Sequence, residues 1–401
     1  MEALILSYAL DTNGQNARYV QAARKHGDDV LRSVAIGNAD PGGVVGRLQE
    51  AATKSDWLRI RSAHRATAYF DFPTDIIWTR RTEQMIRELI MAADVIHLNN
   101  SEMAYKHFSI RKPALLHHHG SLFRNDPERM LYKAKQYRMQ QAVSTIDLQK
   151  PAPDLLPWLP TAYDIDALQV FAAEHRREPD GRVRIVHAPT NRTLKHTDLF
   201  LEAVRQLTEE GLPIDLDLIE GQTWAETMKR KAKADIVFDQ LAFGYGCNAV
   251  EAWGMGIPVI AGAEDPWVLD RMGSLWPAIP FEVATTLTIK ETLRGMVESA
   301  QMRLDATERG YAHVRKYHDE QPALAILAEL YEKAIRRYHR VRIPGKAPNP
   351  ATFKQAGARK VYLEGETIPF KDGAITTDDP YLIERLRHLA RRRAFGIEEV
   401  A

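Results

Sequence analysis

The chain has 401 residues, 45% of them hydrophobic and 27% charged, the profile of a soluble globular protein long enough for two domains with a full core each. Its 54 Lys plus Arg are matched by 53 Asp plus Glu, so no overall field draws it to nucleic acid or membrane. The one cysteine, Cys247, excludes an internal disulfide framework and a Cys-based zinc site. No apolar run approaches the ~20 residues of a membrane span, and no basic region followed by an apolar stretch opens the sequence, so a cytosolic compartment is expected.

In chain order, residues 3–7 form a compact apolar run that ends in the polar turn Asp11-Thr-Asn-Gly14. A helical pattern over 15–26 and a β-rich run over 30–36 follow. Residues 82–92 place Met85, Ile86, Leu89 and Ile90 at helical spacing, and 94–98 and 113–118 read as strands. Prolines 151, 153, 157 and 160 then break regular structure and mark the approach to a domain boundary. The rhythm restarts with strands at 183–187, 214–219, 235–238 and 258–261. Between them lie helices at 197–210 (ended by Gly211), 224–233 and 247–255. Strand alternating with helix in both halves predicts two Rossmann-like, doubly wound parallel sheets facing across a cleft. Beyond Pro280 the chain reads as helical over 290–302, 305–317 and 322–340. A Pro/Gly/Lys linker at 343–349, a hairpin at 360–368 and a helix at 380–393 follow, making a small α+β appendage. The expected division is 1–163, 164–320, a returning helix 321–343, and 344–401.

Four segments carry candidate chemistry. In Phe243-Gly-Tyr-Gly-Cys-Asn-Ala-Val-Glu251, Gly244 and Gly246 precede a helix whose N–H groups and dipole suit a phosphate, with Cys247 at its start. Glu251 falls about one and a half turns in, where a carboxylate can accept from a ribose diol. The segment His187-Ala-Pro-Thr-Asn-Arg192-Thr-Leu-Lys195 leaves a strand and enters a helix, the place where α/β sheets bind ligands. There Arg192 offers a fork of donors and Lys195 a point charge to a diphosphate. His117-His-His119 ends an N-terminal strand. Only His117 and His119 share a side, and without a partner carboxylate no metal site is expected. The turn around Gly14 follows the first strand. No P-loop, nucleophile elbow or zincin motif is present, so nucleotide hydrolysis and common hydrolase schemes find no support.

On these residues the chain resembles the GT-B glycosyltransferases, most closely the retaining family-4-like group, over roughly residues 4–339. His187–Lys195 is similar to the family's phosphate-binding loop. Ala249-Val-Glu251-Ala-Trp-Gly-Met-Gly-Ile-Pro-Val259 is similar to its donor-site helix, and His117-His-His-Gly-Ser to its His-Gly strand end. The resemblance implies a nucleotide sugar such as a UDP- or GDP-sugar held between two domains, with no metal or other cofactor. It implies Glu251 on the ribose, and Arg192, Lys195, Gly14, Gly244, Gly246 and Cys247 around the phosphates. His119 would meet the donor sugar as the catalytic candidate, and Asn13, Asn16, Asn191, Tyr245 and Asn248 are candidate contacts to sugar or acceptor. One departure stands out. The first acid of the family's paired motif would fall eight positions before Glu251, where Phe243 stands; the nearest upstream carboxylate is Asp239.

The implied reaction is retaining transfer, with charge on the leaving phosphate stabilised by Arg192, Lys195 and helix N–H groups. Inversion would instead need a base such as His119. Phe370-Lys-Asp-Gly-Ala374 and Thr376-Thr-Asp-Asp-Pro380 resemble small modules of phage structural proteins. This points to a phage-encoded enzyme acting in the host cytoplasm on a virion protein, a modified DNA base or a glycan. Two other readings stand beside it: a non-catalytic twin-Rossmann module of a virion, and a nucleotide-sugar epimerase.

Overall fold

The computed structural model describes residues 2–7, 59–64, 76–77, 81–100 and 102–340. Towards the C-terminus it describes 351–355, 360–363, 366–369, 374–377, 386–387, 390 and 397–400. The expected helix at 15–26, the run at 30–36 and the linker at 343–349 lie outside the described residues, as do Asn13, Gly14 and Asn16.

Strands β1 (Glu2–Ser7), β2 (Arg59–His64), β3 (Ile76–Ile77), β4 (Val95–Asn99), β5 (Ala114–His118) and β6 (Gln140–Val143) form one sheet in the order 3-2-1-4-5-6. All its pairs are parallel. The two-residue period sends Ala3, Val95 and Leu115 into one apolar cluster and Leu4, Ile96, Leu98 and Leu116 into another. Because both faces are covered, β4 and β5 are buried along their whole length, their polar His97, Asn99, His117 and His118 included, rather than alternating with solvent. Helix α1 (Glu83–Ala92) buries Ile86, Leu89 and Ile90 on this sheet. The short α2 (Met103–His107) and α3 (Gly120–Asn125) follow β4 and β5, and α4 (Pro127–Gln136) begins at an Asp126 cap with Pro127 in its first turn.

The second half repeats the plan. After α5 (Ile165–His175) come β7 (Val183–His187), α6 (Thr197–Glu209), β8 (Ile214–Leu218), α7 (Trp224–Lys231), β9 (Ile236–Phe238) and β10 (Phe243–Gly244). Then follow α8 (Cys247–Gly254), β11 (Val259–Ala263), α9 (Pro266–Leu275) and β12 (Glu282–Val283). The strand order is 10-11-9-7-8 with β12 beside β11, all parallel except β10 on β11. Gly254 is where α8 meets α5, since a Cβ there would stand 2.4 Å from Leu168 Cδ1.

One expected helix is divided. Residues 290–302 belong to α10 (Ile289–Glu298) and α11 (Ala300–His313), separated at Ser299, whose backbone is extended and whose side chain caps α11 by accepting from Met302 N–H at 3.1 Å. The apolar period runs across the break, so only the cap residue marks it. A π-helical turn (Val314–His318) then leads to α12 (Glu320–Arg340). This last helix lies back on the first sheet, with Tyr331 Oη 2.9 Å from His97 Nδ1 and Tyr338 donating to the Arg111 carbonyl at 2.5 Å. The chain thus passes twice between the two sheets, and the passes touch: Tyr163 N–H donates to His318 O at 2.7 Å.

At the C-terminus, β13 (Ala351–Gln355) pairs antiparallel with β16 (Ala374–Thr377) and β17 (Ile397–Val400), while β14 (Lys360–Leu363) and β15 (Glu366–Pro369) form the expected hairpin. The three-stranded sheet has no counterpart among the elements expected from sequence. Of the helix expected at 380–393, residues 386, 387 and 390 are helical and the rest lie outside the described residues. No helix among the described residues is long and apolar enough to cross a membrane.

Candidate functional site

In the second sheet, β7 connects through α6 to β8 on one side while β9 connects onward to β11 on the other, which makes the carboxyl ends of the adjacent β7 and β9 a topological switch point. His187 at the end of β7 is fully buried, with Nδ1 3.0 Å from the Phe238 carbonyl and Nε2 2.8 Å from Thr197 Oγ1. Burial pushes its pKa down to about 4. It therefore ties β7, β9 and the start of α6 together as a neutral ring, and fixes the loop between them.

Lys195 and Asp239 meet at this point. Lys195 Nζ lies 2.7 Å from Asp239 Oδ1, and Asp239 Oδ2 accepts the Gly246 N–H at 2.7 Å. The Asp239 carboxylate is wholly buried while Lys195 keeps 17% exposure. Gly246 is the N-cap of α8, and a Cβ there would sit 3.7 Å from Asp239 Oδ2 and 3.8 Å from Lys195 Nζ. Lysine, carboxylate and helix start are thus one cluster. In the sequence Asp239 stands out only as the nearest upstream acid; the signal that could have found it is its place at the end of a buried strand. Asn248 lies in the first turn of α8, and neither polar atom of its amide finds a hydrogen-bond partner among the described residues although both are buried. Cys247 opens the same helix half-buried.

The other candidates separate from this cluster. Arg192 is on the surface, forked between Asp198 (2.7 Å) and Glu220 (3.0 Å). Asn191 is exposed and its side chain accepts from Leu194 N–H at 3.0 Å, closing the loop. Gly244 has φ +86° at the edge of β10, where a Cβ would meet Met272 Cε at 2.4 Å. Its conformation serves packing against α9. Tyr245 turns inward: its hydroxyl lies 2.9 Å from His313 Nε2 and 3.0 Å from His318 Nε2, in a core of aromatic rings. That position is the core, away from the Lys195 cluster.

Glu251 is buried, 5% exposed, on the inner side of α8. Its Oε2 is 2.5 Å from Lys231 Nζ, and its Oε1 accepts from Trp224 Nε1 at 3.1 Å and Tyr163 Oη at 3.4 Å. Lys231 is itself 1% exposed. The carboxylate expected to be open to a ribose is therefore enclosed with a buried cation, which the sequence could not reveal because Lys231 lies twenty positions away on α7.

In the first domain the histidines do share a side as expected: the His117 and His119 rings stand 3.9 Å apart, with His97 5.4 Å from His117. His119 Nε2 is 3.1 Å from Asn99 Oδ1, and its N–H donates to Asn100 Oδ1 at 2.6 Å. Burial, with the His97 and His118 rings nearby, lowers the His119 pKa to about 3. Such an imidazole is neutral at physiological pH and a poor general base. Among the described residues no group of three His, Cys, Asp or Glu is arranged to hold a metal ion.

Phe243 is met from the first domain. The Arg124 guanidinium on α3 stacks over its ring, 4.0 Å from the centroid, while Arg124 Nε donates to Asp147 Oδ2 at 2.6 Å. At the same junction Arg271 Nε donates to Gln149 Oε1 at 3.0 Å, and Lys150 pairs with Asp265. The two domains are therefore joined by polar contacts where residues 146–150, after β6, meet α9 and the residue before it.

Two Rossmann-type sheets, with a final helix that crosses back to the first, define the GT-B fold. No protein-family model matches the sequence, and no curated protein matches it. Solved structures match in fold. Alr3699/HepE of Anabaena, in complex with UDP, superposes with a TM-score of 0.53 at 14% identity, covering 83% of this chain and 100% of that one. Its complex with UDP-glucose gives 0.52 at 12% identity, covering 83% and 100%. The α,α-trehalose 6-phosphate synthase of Burkholderia multivorans gives 0.52 at 8% identity, covering 86% and 99%.

Proposed function

We propose that the chain is a glycosyltransferase that moves a sugar from a nucleotide diphosphate to an acceptor hydroxyl with retention. The observation that carries this reading is the cluster at the β7/β9 switch point. There a partly exposed lysine is aimed at the N-terminus of α8, beside the Asn248 amide that has no partner among the described residues. Lysine charge and helix-start N–H groups are what a diphosphate needs. That Alr3699/HepE holds UDP and UDP-glucose in a like fold supports a nucleotide sugar as the ligand.

In this reading the bond from the sugar's anomeric carbon to the distal phosphate oxygen breaks, and the acceptor oxygen bonds to that carbon on the same face. The acceptor proton passes to the leaving diphosphate. Lys195 and the first turn of α8 stabilise the leaving charge, and Arg192 joins them by exchanging Asp198 or Glu220 for phosphate. His119, neutral, contacts the donor sugar by hydrogen bonding. Asn13, Gly14 and Asn16 enter this reading only as candidate contacts to the donor, on their place in the sequence after β1. The charge comes from protein groups, so no metal is needed. The acceptor in this reading is a phage virion protein or modified DNA base, which the tail sequence 370–380 suggests, or a glycan.

The test is thermal unfolding of the full chain with UDP-, GDP- and ADP-sugars, followed by mass spectrometry of the products. A ligand at one hundred times its Kd stabilises by about 2.7 kcal/mol, and the stabilising donor should yield its nucleoside diphosphate and a glycosylated acceptor. One observation favours a second reading, the non-catalytic shell: Arg192, Lys195 and Glu251 are all ion-paired within the chain. No stabilisation by any member of the panel would select it.

A further inference from the structure

A cavity of about 570 Å³ lies where the two passes between the domains meet the final helix. Gln140, at the amino end of β6, is in its wall, whereas the Lys195 cluster stands at the carboxyl ends of strands. The cavity is thus separate from the proposed donor site. Its volume lies within the ~300–1,000 Å³ range of small-molecule sites.

Two features of the wall specify a ligand. Trp158, Trp276 and Tyr317 give it aromatic surface, with the two indole centroids 5.2 Å apart and Trp158 5.8 Å from Tyr317. Arg271 and Arg337 give it cationic forks. The Arg271 guanidinium has one bond among the described residues, from Nε to Gln149, which leaves both terminal amino groups available, and the Arg337 side chain has no hydrogen bond or ion pair among them. Lys333 in the same wall is already paired with Glu329 at 2.8 Å, and the wall's one carboxylate is Asp154. Two open guanidinium groups match the paired oxygens of a carboxylate or phosphate in two-point fashion, and ring faces match the C–H face of a pyranose.

We infer that this cavity is a second ligand site, taking a sugar that carries a phosphate or carboxylate. The aromatic surface receives the ring, and Arg271 with Arg337 receives the anion. Because the wall includes β6, the interdomain passage, α9 and α12, one bound molecule touches both domains.

The experiment is titration calorimetry of the full chain with glucose 1-phosphate, glucuronate, glucose and inorganic phosphate, with saturating UDP present to keep the donor cleft out of the measurement. Saturable binding of at least one of the two anionic sugars is expected, with glucose and inorganic phosphate each at least about tenfold weaker. Arg337→Gln, an exposed position with no internal bond to lose among the described residues, should weaken that binding about tenfold, the loss of one charge-assisted contact. Absence of saturable binding, wild-type affinity in Arg337→Gln, or inorganic phosphate binding as tightly as the sugars would each overturn the assignment. The probes carry no nucleotide, so the outcome is independent of whether the chain transfers sugar.

Discussion

The ion pair of Lys195 with Asp239 allows folding and ligand binding to be separated. In Lys195→Met the wholly buried Asp239 carboxylate keeps only the Gly246 N–H. Breaking a buried pair from one side costs about 3–5 kcal/mol, and the remaining N–H together with the 17% exposure of Lys195 brings the expected loss to about 2–3 kcal/mol. Adding Asp239→Asn removes the second charge while its amide oxygen still accepts from Gly246, so the double variant should return to within about 1 kcal/mol of the wild type. Nucleotide diphosphate binding should behave differently. Loss of the lysine removes a charge-assisted contact of about 1.5–3 kcal/mol, or ten- to a hundredfold in Kd, and Asp239→Asn cannot restore it. Denaturant unfolding and calorimetry with UDP, GDP and ADP measure the two quantities on the same samples. Recovery of binding in the double variant would refute the role of Lys195, and failure to recover stability would refute the buried-pair argument.

Glu251→Gln should destabilise the chain by about 3–5 kcal/mol, because Lys231 is left as a buried cation; a loss below about 1 kcal/mol in thermal unfolding would contradict the pairing as the means by which Lys231 is held. Tyr245→Phe removes a hydroxyl from two histidines and should cost about 1–3 kcal/mol of stability while leaving the KM for donor unchanged; a raised KM would put Tyr245 back in the sugar site. Burial holds His97 and His119 at pKa values of about 3 and His118 and His187 at about 4. The unfolded chain binds these protons near pH 6.5 and the folded chain does not. Stability is therefore present in full above pH 6.5 and falls as pH drops from there towards 3, a tenfold change in proton affinity between the two states being worth about 1.4 kcal/mol. A melting temperature that stays level from pH 7 down to 5 would contradict this burial.

The parts of the fold legible in the sequence are those with a clear period or punctuation. The buried runs at β4, β5, β7 and β9 and the Gly211 stop after α6 mark out both sheets. The helix α9 is missed although Asp265 and Pro266 are a good start signal, because its exposed face dilutes the apolar period. The site is legible only in part. Loop and helix fall correctly at strand ends, and Lys195 is brought to the start of α8. Pairing is not legible: Lys231 with Glu251, Asp239 with Lys195 and Arg124 over Phe243 join elements far apart in sequence, and no local pattern encodes them.

Those pairings give Phe243 a physical account. A carboxylate at that position would face Arg124 and compete for it with Asp147, whereas a phenyl ring engages only the flat face of the guanidinium and leaves its N–H groups to Asp147 and Thr145 within the first domain. The negative charge stands instead at Asp239, against Lys195 and the Gly246 N–H. There it does not exhaust the lysine. An ammonium carries three donors, and Asp239 accounts for one of them. The Gly246 N–H is taken, but the Asn248 N–H, two positions on, is in the first turn of α8, where the helix itself provides no acceptor. An arriving diphosphate can therefore share Lys195 with Asp239 rather than displace it, and the carboxylate fixes the direction from which the lysine meets the ligand. Asp239 is on this argument a positioning residue, and a neutral amide in its place should loosen the aim of Lys195 without removing its charge.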